Sequence, residues 1–210
     1  MNAGQNAPGV AVSVADAGLL PRGLRGLPVQ ESGEIGGCRR LIVVGSDADL
    51  AAMLTRLLRA ERLDVEVAYV PRRRTRATRI YRLPAGRRAV ARALRGSAGR
   101  VPLIRDETGT VLVGRAEWVP SDGAVAIRGE AVVDDTVLFD GDVAGVWIEP
   151  TPALPGLRAA VTGRWARWVS GRAAQLGTTG AALVRDGVPA PRAVRRSAFY
   201  RHVEGWLLVR

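Results

Sequence analysis

Arg40-Leu-Ile-Val-Val-Gly-Ser-Asp-Ala-Asp-Leu50 reads as a strand, a turn and a helix start in immediate succession. Leu41–Val44 is an apolar run of the kind buried on both faces of a parallel sheet. Gly45–Asp47 supplies the tight turn. Ser46 and Asp49 have the spacing of a capping box, so a helix is predicted to begin at once and to reach about Arg62. Leu50, Met53, Leu54, Leu57 and Leu58 fall on one face of it. Asp49 near its start and Arg56, Arg59 and Arg62 near its end complement the helix dipole. A strand, a turn and a helix N-terminus in this order aim backbone N–H groups at one point, where an anion can sit.

The pattern continues on both sides. Asp64–Val70 reads as the next strand, giving a βαβ unit with a right-handed crossover. Pro71 ends that strand, and Arg72–Arg82 follows with a short helical turn expected around Ala77–Tyr81. A further helix is predicted from Leu83-Pro84, with proline in the first turn, to about Arg95. Upstream, Val10–Val14 is a possible short strand, Leu19–Pro28 reads as loop, and Gln30–Gly37 reads as a flexible polar connector. The first several residues are expected to be disordered.

Beyond Gly96–Gly99 the period changes to that of strands. Val101–Arg105, Val111–Val119, Ala124–Arg128, Ala131–Phe139, Val146–Glu149, Leu157–Val161, Arg164–Val169, Ala173–Leu176, Ala181–Arg185 and Trp206–Val209 are strand-like, with turns at Thr108–Gly109 and Ser121–Gly123. This predicts a mostly antiparallel β-sandwich over 101–210, after an α/β nucleotide-binding-like domain over 41–100 and a partly flexible segment over 1–40.

Composition narrows the chemistry. The single cysteine, Cys38, excludes an internal disulfide framework and thiolate zinc clusters. The single histidine, His202, excludes a His-x-x-x-His metal pair, and no Gly-x-Ser-x-Gly elbow exists to partner it in a hydrolase. No apolar run approaches a membrane span, and no signal peptide is recognisable, so a cytoplasmic location is expected, with peripheral membrane contact open. The net charge is +11, and all 31 basic residues are arginine. Fourteen of them lie between Arg56 and Arg100, a concentration that attracts phosphate groups, acidic lipid or nucleic acid. Aromatic residues near it are few (Tyr69 and Tyr81), which disfavours single-stranded nucleic acid. Asp134-Asp135 and Asp140-Gly-Asp142 are candidate Mg²⁺ ligands or, more simply, hairpin turns. The five tryptophans read as β-domain core or edge.

The order of these segments resembles the diacylglycerol kinase-like lipid kinases of the NAD kinase superfamily. Val43-Val-Gly-Ser-Asp-Ala-Asp-Leu50 stands where that family has V-V-G-G-D-G-T-L. Pro71 to Pro84, with Thr75-Arg-Ala-Thr-Arg-Ile-Tyr-Arg-Leu-Pro, resembles the end of its P-x-G-T-x-N-D-F-A segment. Trp147-Ile-Glu-Pro150 through Gly156-Leu157 resembles the β-domain segment ending in D-D-G-L, and Val184-Arg-Asp-Gly-Val188 resembles its late D-G-E turn. The resemblance implies an α/β domain followed by a β-sandwich. It also implies ATP and Mg²⁺ as cofactors, Asp47 as the catalytic carboxylate, and nucleotide or phosphate contacts from Gly45, Ser46, Asp49, Arg72, Arg73, Arg74 and Thr75.

The departures from the family pattern point the other way. Ser46 and Ala48 replace glycines of the loop, and Asp49 replaces its threonine, putting a carboxylate where a hydroxyl would donate. Thr75 and Arg76 replace Asn and Asp, Leu154-Pro155-Gly156 replaces the D-D-G element, and Val188 replaces the D-G-E glutamate. The family's opening strand and N-P-x-S-G loop are not recognisable in residues 1–40. Each loss removes a phosphate cradle, metal ligand or base that phosphoryl transfer needs. Three readings follow. The first is a catalytically degenerate relative kept for binding a nucleotide, phospholipid or protein. The second is an active ATP- and Mg²⁺-dependent lipid or nucleotide kinase. The third is a non-enzymatic basic protein that binds nucleic acid or an acidic partner.

Overall fold

In the computed structural model, residues 9–14, 20–30, 37–121 and 123–210 are described. The N-terminal residues expected to be disordered, and most of the Gln30–Gly37 connector, lie outside them.

The first layer is a six-stranded sheet. Its strands are β1 (Val10–Val14), β2 (Val29–Gln30), β3 (Arg40–Val44), β4 (Glu66–Val70), β5 (Ala98–Val101) and the last strand of the chain, β17 (Trp206–Val209). Their spatial order is β2-β1-β3-β4-β17-β5. All neighbours are parallel except β5, which runs antiparallel to β17. β3 is apolar on both faces because both are covered. Leu41 and Val43 pack under α1 (Asp47–Arg59), against Leu50, Leu54 and Leu57. Ile42 and Val44 pack on the opposite face with Ala89 and Ala93 of α3 (Arg87–Arg95). Between the two helices, α2 (Arg76–Ile80) makes a single turn and a half. Val10–Val14, unrecognised as the opening strand of the family pattern, takes an inner place in the sheet beside β3.

The second layer is an antiparallel sheet of eleven strands. It comprises β6 (Ile104–Asp106), β7 (Val111–Leu112), β8 (Ala116–Pro120), β9 (Ile127–Val133), β10 (Thr136–Val143), β11 (Val146–Pro150), β12 (Leu157–Val161), β13 (Val169–Gly171), β14 (Ala173–Arg185), β15 (Val188–Pro189) and β16 (Val194–Arg201). β14 organises it. Its first half pairs with β9 and its second half with β8, and an irregularity between Gly177 and Ala181 re-aims the strand between them. Trp118, Phe199, Ile148 and Leu157 fill its core.

Three expectations are corrected. Trp206–Val209 does not complete the β domain but crosses back to fill the gap between β4 and β5, with Trp206 edge-on to Tyr81 at 5.5 Å. Asp140-Gly-Asp142 is no turn: it lies inside β10, paired to Glu130–Arg128 of β9. Ala173–Leu176 and Ala181–Arg185 are one strand, and the strand beside it, Val194–Arg201, was not anticipated. Its alternation is carried only by buried Ser197 and Phe199, among exposed arginines.

Candidate functional site

Where β3 ends, the chain turns at Gly45 and α1 begins. Ser46 caps the helix: its hydroxyl accepts the Asp49 N–H at 3.3 Å. In return one Asp49 carboxylate oxygen accepts both the Ser46 N–H and the Ser46 hydroxyl at 2.7 Å. This closes the capping box that the spacing predicts. It also fills the loop. A Cβ on Gly45 would collide with the Asp49 carboxylate, which therefore stands directly over the turn. A helix N-terminus of this kind accommodates an external anion through its free N–H groups. Here the chain's own carboxylate holds the Ser46 N–H.

Asp47, one residue into the helix, points the other way, toward the β domain. It accepts the Tyr69 hydroxyl at 2.8 Å and the Ala77 N–H at 3.0 Å. Burial and the adjacent Asp47 charge push the Tyr69 hydroxyl pKa well up, so that proton stays on the tyrosine. Thr75 caps α2 through a second capping box with Thr78, which places Arg76 in the first turn of that helix.

A cleft of about 260 Å³ opens between Asp47, Arg76, Arg115, Glu117, Val184 and Asp186. Gly114 packs against three of its lining residues, Asp47, Arg76 and Asp186. A Cβ there would approach Asp186 Oδ1 to 2.7 Å and Asp47 Oδ2 to 3.0 Å, so only glycine leaves room for both carboxylates. Asp186 follows β14 in a turn where its φ is positive, and its carboxylate accepts the Val113, Gly114 and Arg115 N–H groups at 3.1, 2.6 and 3.0 Å. Burial, reinforced by the Asp47 charge and opposed by those N–H groups, pushes Asp186 up to about 7.

Behind the cleft sits Glu149 of β11, fully buried and ringed by three arginines. Arg76 reaches it from α2, Arg115 at 2.7 Å from the segment before β8, and Arg158 at 2.8 Å from β12. Burial pushes Glu149 up, but the three guanidinium groups outweigh it and hold the carboxyl below the ordinary glutamate range. Arg115 and Arg158 also stack on Trp147 and Trp168, themselves stacked at 6.5 Å. Arg76 Nε is buried with no acceptor among the described residues.

The structure thus brings together Asp47, Asp186 and, through Gly114, the β domain. Gly45, Ser46 and Asp49 form the self-closed loop. Arg72, Arg73 and Arg74 are exposed in the turn after β4 and do not line the cleft. The sequence reading missed Glu149 and its arginines, although a glutamate inside Val146–Pro150 is an anomaly that could have flagged it. Asp134 accepts the Arg172 and Ala173 N–H groups, which accounts for it as a turn residue. No group of three or more metal-ligating side chains occurs among the described residues. Nor is any helix among them long and apolar enough to cross a membrane.

ATP and Mg²⁺, the cofactors implied by the resemblance, do not fit these residues as they stand. The loop N–H that would meet a phosphate is taken by Asp49, and the converging carboxylates Asp47 and Asp186 already accept hydrogen bonds from protein donors.

The architecture, a mostly parallel sheet joined to a large antiparallel sheet, is that of the diacylglycerol kinase-like and NAD kinase fold. A putative diacylglycerol kinase from Bacillus anthracis str. Sterne superposes with a TM-score of 0.71 at 9% identity, covering 97% of each chain. An NAD kinase from Archaeoglobus fulgidus, solved in complex with ATP, superposes with a TM-score of 0.64 at 14% identity, covering 96% of this chain and 93% of that one. No protein-family model matches the sequence, and no curated protein matches it.

Proposed function

We propose that this chain is a non-catalytic protein on a kinase fold, retained for binding an anionic ligand rather than for transferring a phosphoryl group. One observation carries the reading: the Asp49 carboxylate holds the Ser46 N–H and hydroxyl at 2.7 Å, in the place a phosphate would take. The cleft adds support, because about 260 Å³ is below the 300–1,000 Å³ usual for small-molecule sites. The exposed Arg72–Arg74 turn lies at the carboxyl end of β4, the edge at which open α/β sheets bind ligands, and offers guanidinium forks to a nucleotide or a phospholipid headgroup.

A second reading, an ATP- and Mg²⁺-dependent kinase, has one observation on its side. Asp47 and Asp186 converge over Gly114, and a carboxyl whose pKa is pushed up at a cleft, as that of Asp186 is, is a mark of acid–base sites. A thermal-shift titration with ATP, ADP and NAD, each with and without Mg²⁺, separates the two. A ligand at about 100 times its dissociation constant adds about 2.7 kcal/mol. The non-catalytic reading expects no Mg²⁺-dependent shift and no phosphate transfer to lipid or nucleotide acceptors. An Mg²⁺-dependent ATP shift with turnover, both abolished by Asp47→Ala, would overturn it.

A further inference from the structure

The arginines that the cleft leaves out have a site of their own. α3 sits on the face of the first sheet opposite α1 and the β domain, held there by Ala89 and Ala93. Its outer side forms, with the turn at Arg82-Leu83-Pro84, an open groove of about 570 Å³. Five arginines line it: Arg74, Arg82, Arg88, Arg92 and Arg95. No carboxylate lines it, and all five side chains are exposed. None of the five makes a salt bridge among the described residues, whereas Arg40, Arg62, Arg76, Arg100, Arg115, Arg158 and Arg185 all do. Arg82 holds a positive φ of 55°, a conformation uncommon outside glycine.

Spacing suggests the ligand. Arg88, Arg92 and Arg95 stand at i, i+4 and i+7, one stripe along the helix. They are separated by axial steps of about 6 and 4.5 Å. Phosphates of one duplex strand succeed one another every ~3.4 Å along the axis, closely enough for each of the three guanidinium groups to meet a different phosphate. The groove lining offers no aromatic ring, and without a stacking platform single-stranded nucleic acid gains little there. Arginine forks pair bidentately with phosphate.

We infer that the α3 groove binds the phosphate backbone of double-stranded nucleic acid without sequence preference. The groove lies on the far side of the sheet from the cleft; it shares Arg74 with the turn proposed above to hold an anion, whereas the Arg88, Arg92 and Arg95 stripe belongs to the groove alone.

The test is fluorescence anisotropy with a labelled 20-base-pair DNA duplex across a salt series, on the full chain. Binding is expected to weaken with salt with a log–log slope near −4.5, about −0.9 for each of five neutralised phosphates. The triple variant Arg88→Ala/Arg92→Ala/Arg95→Ala should flatten the slope by about 2.7 and weaken binding at least tenfold at low salt. Its thermal unfolding should match the parent, because all three side chains are exposed. A control, Arg128→Ala/Arg195→Ala/Arg196→Ala, removes equal charge from exposed β-domain positions and should change binding less than threefold. Equal losses in both variants would show a diffuse field effect and overturn the groove. So would a parent that ignores the duplex yet binds vesicles containing phosphatidylserine, which would make the face a membrane contact. Tighter binding to the isolated strand than to the duplex would overturn the choice of ligand.

Discussion

Glu149 and Asp186 face the same junction between the two layers, yet their surroundings drive them in opposite directions. Glu149 is fully buried among three guanidinium groups and is held below the ordinary glutamate range. Asp186 is driven by burial first and by the like charge of Asp47 second, and its partners are three neutral backbone N–H groups. It is pushed up to about 7. Burial raises both carboxyls; three guanidinium charges reverse it at Glu149, whereas three neutral N–H groups do not reverse it at Asp186. The difference separates a structural tie from a titratable group. Glu149 fastens α2 to β11 and β12, whereas Asp186 ties the turn after β14 to the backbone of Val113–Arg115.

The largest expected effect comes from breaking the tie. Glu149→Gln leaves three arginines converging on a neutral group, and losing one partner of a buried ion pair costs about 3–5 kcal/mol. The arginines reach solvent, with side chains 22–40% exposed, so the lower end, about 3 kcal/mol, is expected from urea denaturation at pH 7. A loss below about 1 kcal/mol would show that water already carries those charges, and the contrast with Asp186 would collapse.

The two carboxylates should also leave opposite marks on pH dependence. Asp186 has a raised pKa in the folded chain. Its favourable contribution is complete below the unfolded value near 4 and is lost as pH rises to about 7. Glu149 has a lowered pKa, so its contribution is present above the ordinary glutamate range and is lost as pH falls through the folded value. Allowing for its partial exposure, Asp186 should account for a fall of roughly 2 kcal/mol between pH 4 and 7. Asp186→Asn should remove that fall while leaving the acid-side loss due to Glu149 intact. Parallel pH profiles for the parent and this variant would refute the assignment.

What could be read from the chain follows the same division between local and distant partners. β3, α1 and the capping box were legible because all the information lies within a few consecutive turns: an apolar tetrapeptide, a glycine, and Ser46 three residues before Asp49. The two-layer fold was legible from the switch of period near Gly96. Glu149 was not, because its arginines lie 9, 34 and 73 residues away and only the folded sheet assembles them. The last strand was misplaced for the same reason. Trp206–Val209 looks like any short β segment, and its neighbour β4 is more than a hundred residues upstream. Val194–Arg201 was hidden by Arg195, Arg196 and Arg201, whose charges conceal an alternation that Ser197 and Phe199 carry alone.

The smallest expected effect tests the closed loop itself. Asp49 contributes to stability as half of a capping box and as an acid in the first turn of α1. Asp49→Thr deletes the carboxylate that holds the Ser46 N–H but keeps a side-chain hydroxyl, at a cost of about 1 kcal/mol. The same substitution returns that N–H to the solvent and removes a negative charge from a helix N-terminus, so inorganic phosphate should stabilise the variant more than the parent. A phosphate titration followed by thermal unfolding reads both effects at once. If the variant loses its 1 kcal/mol but gains no phosphate response, Asp49 is a helix cap and nothing more, and the missing cradle must be sought in Ser46 and Ala48, the positions where the family pattern has glycine. If the response appears, a single carboxylate is what closes this loop to an anion.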